Sequence, residues 1–541
     1  MNKEVFTGKT AAIGVRWSLG AVMAKQGFQL LCAITLARIL GPEAYGVISA
    51  ATVYIMLMTM VLDQGLSAAL IQREDINRRL AGACAGLNLI MALFLAGLTV
   101  LMAGPIADFF RFAGVEQVLL LLAAALPLKA LAIVPRSLLS RGLLFRSIGA
   151  ADIAAAAFGA AAGITAALFG AGYFAIVFQV YATDLLTALA LLAAARGPLP
   201  NLRLGQVRPL LAFSANVFAI NWLAYFSRNT DNILIGRVLG MSALSFYGMA
   251  YRIMVIPVQL IGQTVNRVMF PVISRSAKDP EAVAGHLYTT MSLLSMLVFP
   301  LMALVASASH DLVLVALGDA WLPAAPLIAV LAIGGARETV FYITPPLMKG
   351  LGHAGLNLRY ELVAFTVQVG GIVVGLQFGL FGVAIGVASA GFLLVPVLFV
   401  IQKRLCGIRI RTQMGNLWPP LHASLWASAA YLSLFSVPEF LPAGLPRLLA
   451  GAAVFGLVLG SVLVLFHRRR LLMFLSTVAS MAGRSRHGTD SSSSIRTSKS
   501  GRHASSRSGE MDAPTTSTPD STSAGSPKAK NKPDGVTPER H

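Results

Sequence analysis

Charge is what this chain has least of. Only 12% of its 541 residues are Asp, Glu, Lys or Arg, whereas a soluble globular chain carries about a quarter, so water cannot be its main solvent. Cysteine is nearly absent too. Cys32, Cys84 and Cys406 are scattered in or beside apolar segments, which leaves neither a disulfide framework nor a CxxC metal site and excludes thiol redox chemistry. The eight histidines are equally dispersed. No HExxH, Ser/His/Asp set, paired carboxylate loop or Walker A sequence occurs, so a hydrolase and a self-contained ATP-driven pump both lack their parts. A membrane polymerase, ligase or polyprenyl-phosphate glycosyltransferase needs a catalytic platform outside the bilayer. The outer loops expected here are mostly under about 15 residues, a length that rarely folds alone.

What fills the chain instead is apolar: 56% of it is hydrophobic and its mean hydropathy is +0.72. Stretches of roughly 20 apolar residues, each able to cross a hydrocarbon core, follow one another with short polar breaks. They predict helices near 17–37, 46–66, 82–104, 117–135, 150–169, 172–195, 213–236, 247–270, 287–307, 322–346, 358–377, 380–401, 417–437 and 446–467. The expected fold is an all-α polytopic membrane protein of about 14 transmembrane helices. The first stretch is a full span without a small-residue cleavage site after it, so it is expected to stay as a helix.

The net charge of +20 is explained by its placement rather than by nucleic acid. With a cytoplasmic N-terminus, every loop on that side is basic: Arg73, Arg78 and Arg79; Arg136, Arg141 and Arg146; Arg196, Arg203 and Arg208; Arg275 and Lys278; Lys349 and Arg359; Lys403, Arg404, Arg409 and Arg411. The opposite loops hold isolated cases such as Arg38, Arg111, Arg237 and Arg447. This alternation places both termini in the cytoplasm of a bacterial inner membrane. From about Gly483 the composition turns to Ser, Thr, Pro, Gly, Lys and Arg, too poor in aliphatic residues to order itself, so a disordered cytoplasmic tail is expected. Arg468, Arg469 and Arg470 mark the membrane boundary before it.

Ala37-Arg38-Ile39-Leu40-Gly41, with Ala44 and Tyr45-Gly46, recurs as Gly236-Arg237-Val238-Leu239-Gly240, with Ala243 and Tyr247-Gly248. An even number of helices separates the copies, so the halves share one orientation. The expected organisation is an N-lobe over 1–196, a C-lobe over 197–410, two further helices over 411–470 and a tail over 471–541. Two parallel six-helix lobes then flank a central cleft, an architecture suited to alternating access.

Charges within the spans cost about 2.5 to 3.5 kcal/mol each at a helix centre and normally face a cavity or a partner. Lys25, Lys129, Arg228, Arg252 and Arg337 are candidates to contact an anionic cargo, with Lys25 and Arg228 foremost because they lie in the first helix of each lobe. Asp63, Asp184, Asp231 and Glu338 are candidates for coupling to a proton or sodium gradient. Arg228 and Asp231 are three apart and share a helix face; Arg337 and Glu338 diverge by about 100° and need different partners. Gly159 with Gly163, Gly382 with Gly386, and Gly456 with Gly460 predict close helix packing. Pro257, Pro300, Pro345-Pro346 and Pro396 interrupt helical segments. No metal or cofactor is expected.

Over roughly residues 10 to 410 the chain resembles the bacterial polysaccharide flippases of the Wzx type, in the colanic-acid exporter branch of the MOP superfamily. The resemblance is carried by the order and spacing of Arg16-Trp17-Ser18, Leu36-Ala37-Arg38, Asp63-Gln64-Gly65 with Ile71-Gln72-Arg73, Arg141-Gly142-Leu143, Asn232-Ile233-Leu234-Ile235-Gly236-Arg237, Tyr247-Gly248-Met249-Ala250-Tyr251-Arg252, Arg267-Val268-Met269-Phe270-Pro271 and Gly318-Asp319-Ala320-Trp321. It implies translocation of undecaprenyl-diphosphate-linked oligosaccharide units to the periplasmic leaflet for exopolysaccharide, capsule or O-antigen synthesis. Implied partners are that polyprenyl-linked glycan, membrane lipids, and the polysaccharide polymerase and chain-length or export machinery. The alternatives are a cation-coupled drug or small-molecule antiporter on the same fold and, with less support, a membrane-embedded polymerase or ligase.

The charge alternation has a direct test. A phosphatase reporter that works only outside the cytoplasm should be active when fused after Gly170 or Gly379 and silent after Arg141 or Lys349; the opposite pattern would invert the topology.

Overall fold

The computed structural model describes residues 8–63, 66–72, 76–196, 200–203, 205, 207, 222, 225–226, 228–434 and 442–490. Its described residues are helical almost throughout, as they must be where no water is present to satisfy backbone groups. In chain order the helices are α1 (Gly8–Asp63), α2 (Leu66–Gln72), α3 (Arg78–Phe110), α4 (Gly114–Ala123), α5 (Leu126–Arg141), α6 (Phe145–Leu168) and α7 (Ala175–Ala195). Then come α8 (228–239), α9 (Met241–Arg275), α10 (Pro280–Ser307), α11 (Ser309–Ala316), α12 (Ala325–Phe341), α13 (Thr344–Gly350), α14 (Ala354–Leu376), α15 (Gly379–Leu393), α16 (Val395–Cys406), α17 (Ile410–Ser433) and α18 (Leu445–Asp490). Two compact units are distinguished, Met1–Thr477 and Val478–His541.

Among the described residues, ten helices are long and apolar enough to cross a membrane, or eleven when α4 and α5, bent by 47°, count as one broken span. The count is lower than that read from hydropathy for three reasons. The first two predicted helices are one element, α1, bent at Gly41. The seventh falls mostly outside the described residues. The thirteenth, α17, carries Gln413, Asn416, Pro419, Pro420 and His422 and is too polar to qualify by composition. The last helix runs to Asp490, past residue 471 where the tail was expected to begin; residues 491–541 lie outside the described ones.

The bend in α1 and the join between α8 and α9 are the two copies of the sequence repeat. Gly41 has φ 75 and ψ 173, and Gly240 has φ 88 and ψ −179, a region open essentially to glycine alone. The same backbone corner therefore breaks the first helix of each copy at its Gly.

Small residues set helix spacing as anticipated in two places. A Cβ on Gly371 or Gly386 would run into the other's backbone, as would one between Gly375 and Gly382, which lets α14 and α15 touch backbone to backbone. Gly159 and Gly163 receive Thr183 and Gln179 of α7 in the same way. Gly456 and Gly460 differ: nothing lies within 4 Å of the space a Cβ would fill, so they face outward. Of the prolines, Pro345-Pro346 and Pro396 begin new helices, whereas Pro257 and Pro300 sit within continuous ones.

The last two helices are tied to the rest by a buried carboxylate. Asp311 on α11 and Arg447 on α18 are 0% and 6% exposed. The Arg447 guanidinium donates Nε and Nη2 to the carboxylate at 2.8 to 3.0 Å, the Tyr431 hydroxyl donates at 3.0 Å and the Gly444 N–H at 3.1 Å. Burial pushes the Asp311 carboxyl up, but these donors outweigh it and hold the carboxyl below the usual carboxylate range.

Removing one member of such a buried pair strands the other. Asp311→Ala should cost roughly 3 kcal/mol or more, read as a lower midpoint of thermal unfolding in detergent. Because the folded-state pKa is depressed, the contribution of Asp311 is complete above its unfolded value of about 3.9 and disappears as pH falls through the folded one. The wild-type advantage over the variant should therefore hold at neutral pH and shrink below about pH 4.

Candidate functional site

Among the described residues, the contacts between the halves gather around the two repeat copies. The Arg38 guanidinium, beside the Gly41 corner, donates to the Val315 carbonyl at the end of α11, 2.8 Å away. Arg237, beside the Gly240 corner, donates to the Phe109 carbonyl at the end of α3, 2.9 Å away, with its guanidinium 5.2 Å from the Phe109 ring centre. Each arginine thus clasps the opposite half, and the two clasps mirror one another. Between them lies Trp321, 1% exposed, whose Nε1–H donates to the Ala37 carbonyl at 3.0 Å and whose ring meets Tyr45 and Phe246 edge-on. Gly46 lies so close to Met241 that a Cβ would collide with its carbonyl oxygen. Further in, Arg252 donates to the Tyr45 hydroxyl at 3.1 Å, and the Tyr225 hydroxyl donates to the Val53 carbonyl at 2.7 Å. Among the described residues, the two halves are in direct contact at this end of the molecule.

The charged candidates separate by partner. In the first half, Lys129 of α5 places Nζ 2.9 Å from both carboxylate oxygens of Asp184 on α7, so a cargo candidate and a coupling candidate neutralise each other. Lys25 of α1 lies 3.6 Å from Asp152 of α6, which also receives a two-pronged pair of hydrogen bonds from Arg136 of α5. Two cations share one carboxylate here, leaving a net positive cluster with Lys25 and Arg136 each 37% exposed. Neither Asp152 nor Arg136 was among the candidates, although Asp152 falls within the predicted span 150–169. Asp63 accepts a hydrogen bond from Ser67 at the junction of α1 and α2, a local role.

In the second half Asp231, 2% exposed, accepts from the Tyr247 hydroxyl at 2.8 Å and from the Asn232 N–H at 2.8 Å. The salt bridge that its spacing from Arg228 permits is absent: Asp231 turns into the α8–α9 contact and Arg228 stays exposed. Arg228 lies within electrostatic reach of Tyr251, Tyr342 and Glu361. Glu338, also exposed, lies within reach of Tyr251, Tyr342, Tyr360 and Glu361. Neither Arg228 nor Glu338 forms an ion pair or a hydrogen bond among the described residues. Arg337 lies against Gly391 of α15 and, like Glu338, within electrostatic reach of Tyr360. The structure thus assembles one contact cluster, Lys25/Arg136/Asp152, brings Lys349, Arg228 and Glu338 within electrostatic reach of Glu361, and pairs Lys129 with Asp184 and Asp231 with Tyr247.

Residues 35–326 match a family described as polysaccharide biosynthesis protein. The chain is 25% identical over 491 residues, 87% of its own length and 96% of the other's, to the succinoglycan biosynthesis transport protein ExoT of Rhizobium meliloti (strain 1021). It is 24% identical over 426 residues, 76% and 85% of the two chains, to the lipopolysaccharide biosynthesis protein WzxC of Escherichia coli (strain K12). Its fold is similar to that of the lipid II flippase MurJ in an inward closed conformation, with a TM-score of 0.66 at 15% identity, covering 84% of this chain and 100% of that one.

The clasps predict a conformational bias. Discounted for solvent, each arginine-to-carbonyl bond contributes roughly 1 kcal/mol to closure, about fivefold in the closed-to-open ratio. Arg38→Ala with Arg237→Ala should speed labelling of a cysteine placed at Ala243 by an impermeant maleimide, while Cys32, Cys84 and Cys406, all buried, stay silent. Gly46→Val should do the same by steric means; unchanged labelling in both would remove the clasps from the gate.

Proposed function

This chain belongs to the polysaccharide biosynthesis protein family, and we propose that it flips polyprenyl-diphosphate-linked oligosaccharide units from the cytoplasmic to the periplasmic leaflet. It is a multi-pass membrane transporter, not an enzyme. The observation that carries the choice of cargo is Arg228: an exposed guanidinium at membrane depth with no acid committed to it, in the first helix of the second half. A planar guanidinium can hold two oxygens of a diphosphate at once. The Lys25/Arg136 cluster, with one carboxylate between two cations, offers a second attraction from the first half. A drug antiporter would be expected to display the opposite sign to cationic cargo.

The cycle follows from the contact of the halves at the end that the charge pattern makes the outer one. With Arg38, Arg237 and Trp321 holding the halves together there, the lipid-linked diphosphate enters from the cytoplasmic side, meets the cations, and is released outward when the clasps part and the lobes rock. Both termini lie in the cytoplasm in this scheme, and the released unit passes to a polymerase and the chain-length or export machinery. Coupling is assigned to Glu338 with Glu361, two carboxylates within mutual electrostatic reach, since Asp63, Asp184 and Asp231 already have partners. Binding of a proton or sodium ion there relieves like-charge repulsion and frees Arg228 from their attraction.

Proteoliposomes carrying a fluorescent undecaprenyl-diphosphate oligosaccharide test this. Wild type should move it between leaflets, and Arg228→Ala with Lys25→Ala should slow it roughly 10- to 100-fold, the scale of one or two lost charge-assisted contacts. Glu338→Gln should remove dependence on an imposed ion gradient. Failure of the wild type where an established flippase works would turn the assignment toward small-molecule antiport.

A further inference from the structure

One sizeable cavity among the described residues lies within the second half and α17. A groove of about 1400 Å³ runs between α10, α12, α16 and α17, larger than the roughly 300–1,000 Å³ that houses a drug-sized molecule. Every residue lining it falls between Phe299 and Leu432, so the first half contributes nothing. Its walls are aromatic and aliphatic, with Phe299, Phe392 and Trp418 among them, and no Asp or Glu lines it.

Two cations line this apolar space. Arg337 of α12 makes no hydrogen bond or ion pair among the described residues, and its Nε is buried without a partner. Its guanidinium lies across Gly391 of α15, in space any larger side chain would occupy. Arg411, exposed, stands at the end of α17 that the charge pattern assigns to the cytoplasm. An uncompensated guanidinium inside the apolar slab is costly, and a bound anion removes that cost.

We propose that this groove is a binding site for one anionic phospholipid, its phosphate held by Arg337 and Arg411 and its chains laid along Phe299, Phe392 and Trp418. Charge complementarity selects an anion, and the apolar length selects a lipid. A bulk phospholipid fits better than the glycan-bearing cargo for two reasons: apart from serine hydroxyls and His310 the lining offers little to hold sugars, and the groove lies outside the space between the halves. The occupied groove would add a lipid to the contact that α17 already makes with α10 through Asn416 and the Tyr288 carbonyl.

Native mass spectrometry of the full chain, titrated separately with phosphatidylglycerol, phosphatidylcholine and undecaprenyl phosphate, tests this without reference to transport. The expected result is a preference for phosphatidylglycerol over phosphatidylcholine on the order of tenfold, the scale of two cations meeting one phosphate, that falls to near unity in Arg337→Gln with Arg411→Gln. Ile333→Trp, which narrows the groove and spares both arginines, should weaken phosphatidylglycerol binding and serves if the double variant does not fold. Equal binding of the two phospholipids by wild type, or a preference that survives either variant, would overturn the site. Displacement of phosphatidylglycerol by an equal concentration of undecaprenyl phosphate would overturn the choice of occupant.

Discussion

A charge placed within the hydrocarbon slab must find a partner or a cavity, because insertion alone costs about 2.5 to 3.5 kcal/mol. That constraint sorts the polar residues of this protein into two groups. Lys129 with Asp184 and Asp231 with Tyr247 are closed pairs inside one half, and Asp311 with Arg447 is a closed pair that fastens the last helices. Arg228, Glu338 and Arg337 have no such closure among the described residues, and the Lys25/Arg136/Asp152 cluster is one carboxylate short. Structure is built from the first group; the second is where charge remains for a ligand.

The end where the two halves meet is built from the same sequence used twice. Each copy breaks its helix at a glycine that only glycine can occupy without strain, and each sends an arginine to a carbonyl of the other half. Two equivalent contacts related by the repeat can form and part together, which suits a gate better than a single contact would. Trp321 fills the space between the clasps and ties Ala37 to the second half. Interfaces packed this tightly, with Gly46 against Met241, are bistable rather than continuously deformable.

The helices α17 and α18 attach to the second half through unlike contacts. At Asp311 the contact is a fully satisfied ionic network, while between α17 and α12 there is an apolar groove with an unsatisfied cation. The fixed point and the open groove lie along the same helix. The position of α17 is anchored at Asp311 and again at Asn416, whose side chain donates to the Tyr288 carbonyl of α10 at 2.9 Å.

Much of the fold was legible in the chain read as a string. Hydropathy marked nearly every helix, because burying about 20 residues of backbone in lipid demands an uninterrupted apolar run. The repeat announced both Gly corners and the arginines beside them, whereas the different partners that the offset of about 100° called for at Arg337 and Glu338 are not found among the described residues, where both lie within electrostatic reach of Tyr360. Glycine spacing foresaw the contacts of α6 with α7 and of α14 with α15, but misjudged Gly456 and Gly460, since a small face has no effect without a helix opposite it. What the string could not decide was pairing. Lys129 finds Asp184 across 55 positions and Arg447 finds Asp311 across 136, while Arg228 and Asp231, three apart, go separate ways. Composition and period determine which residues lie in the membrane and on which side of a helix. Only the rotation and proximity of distant helices decide which charges cancel, and hence which remain to bind.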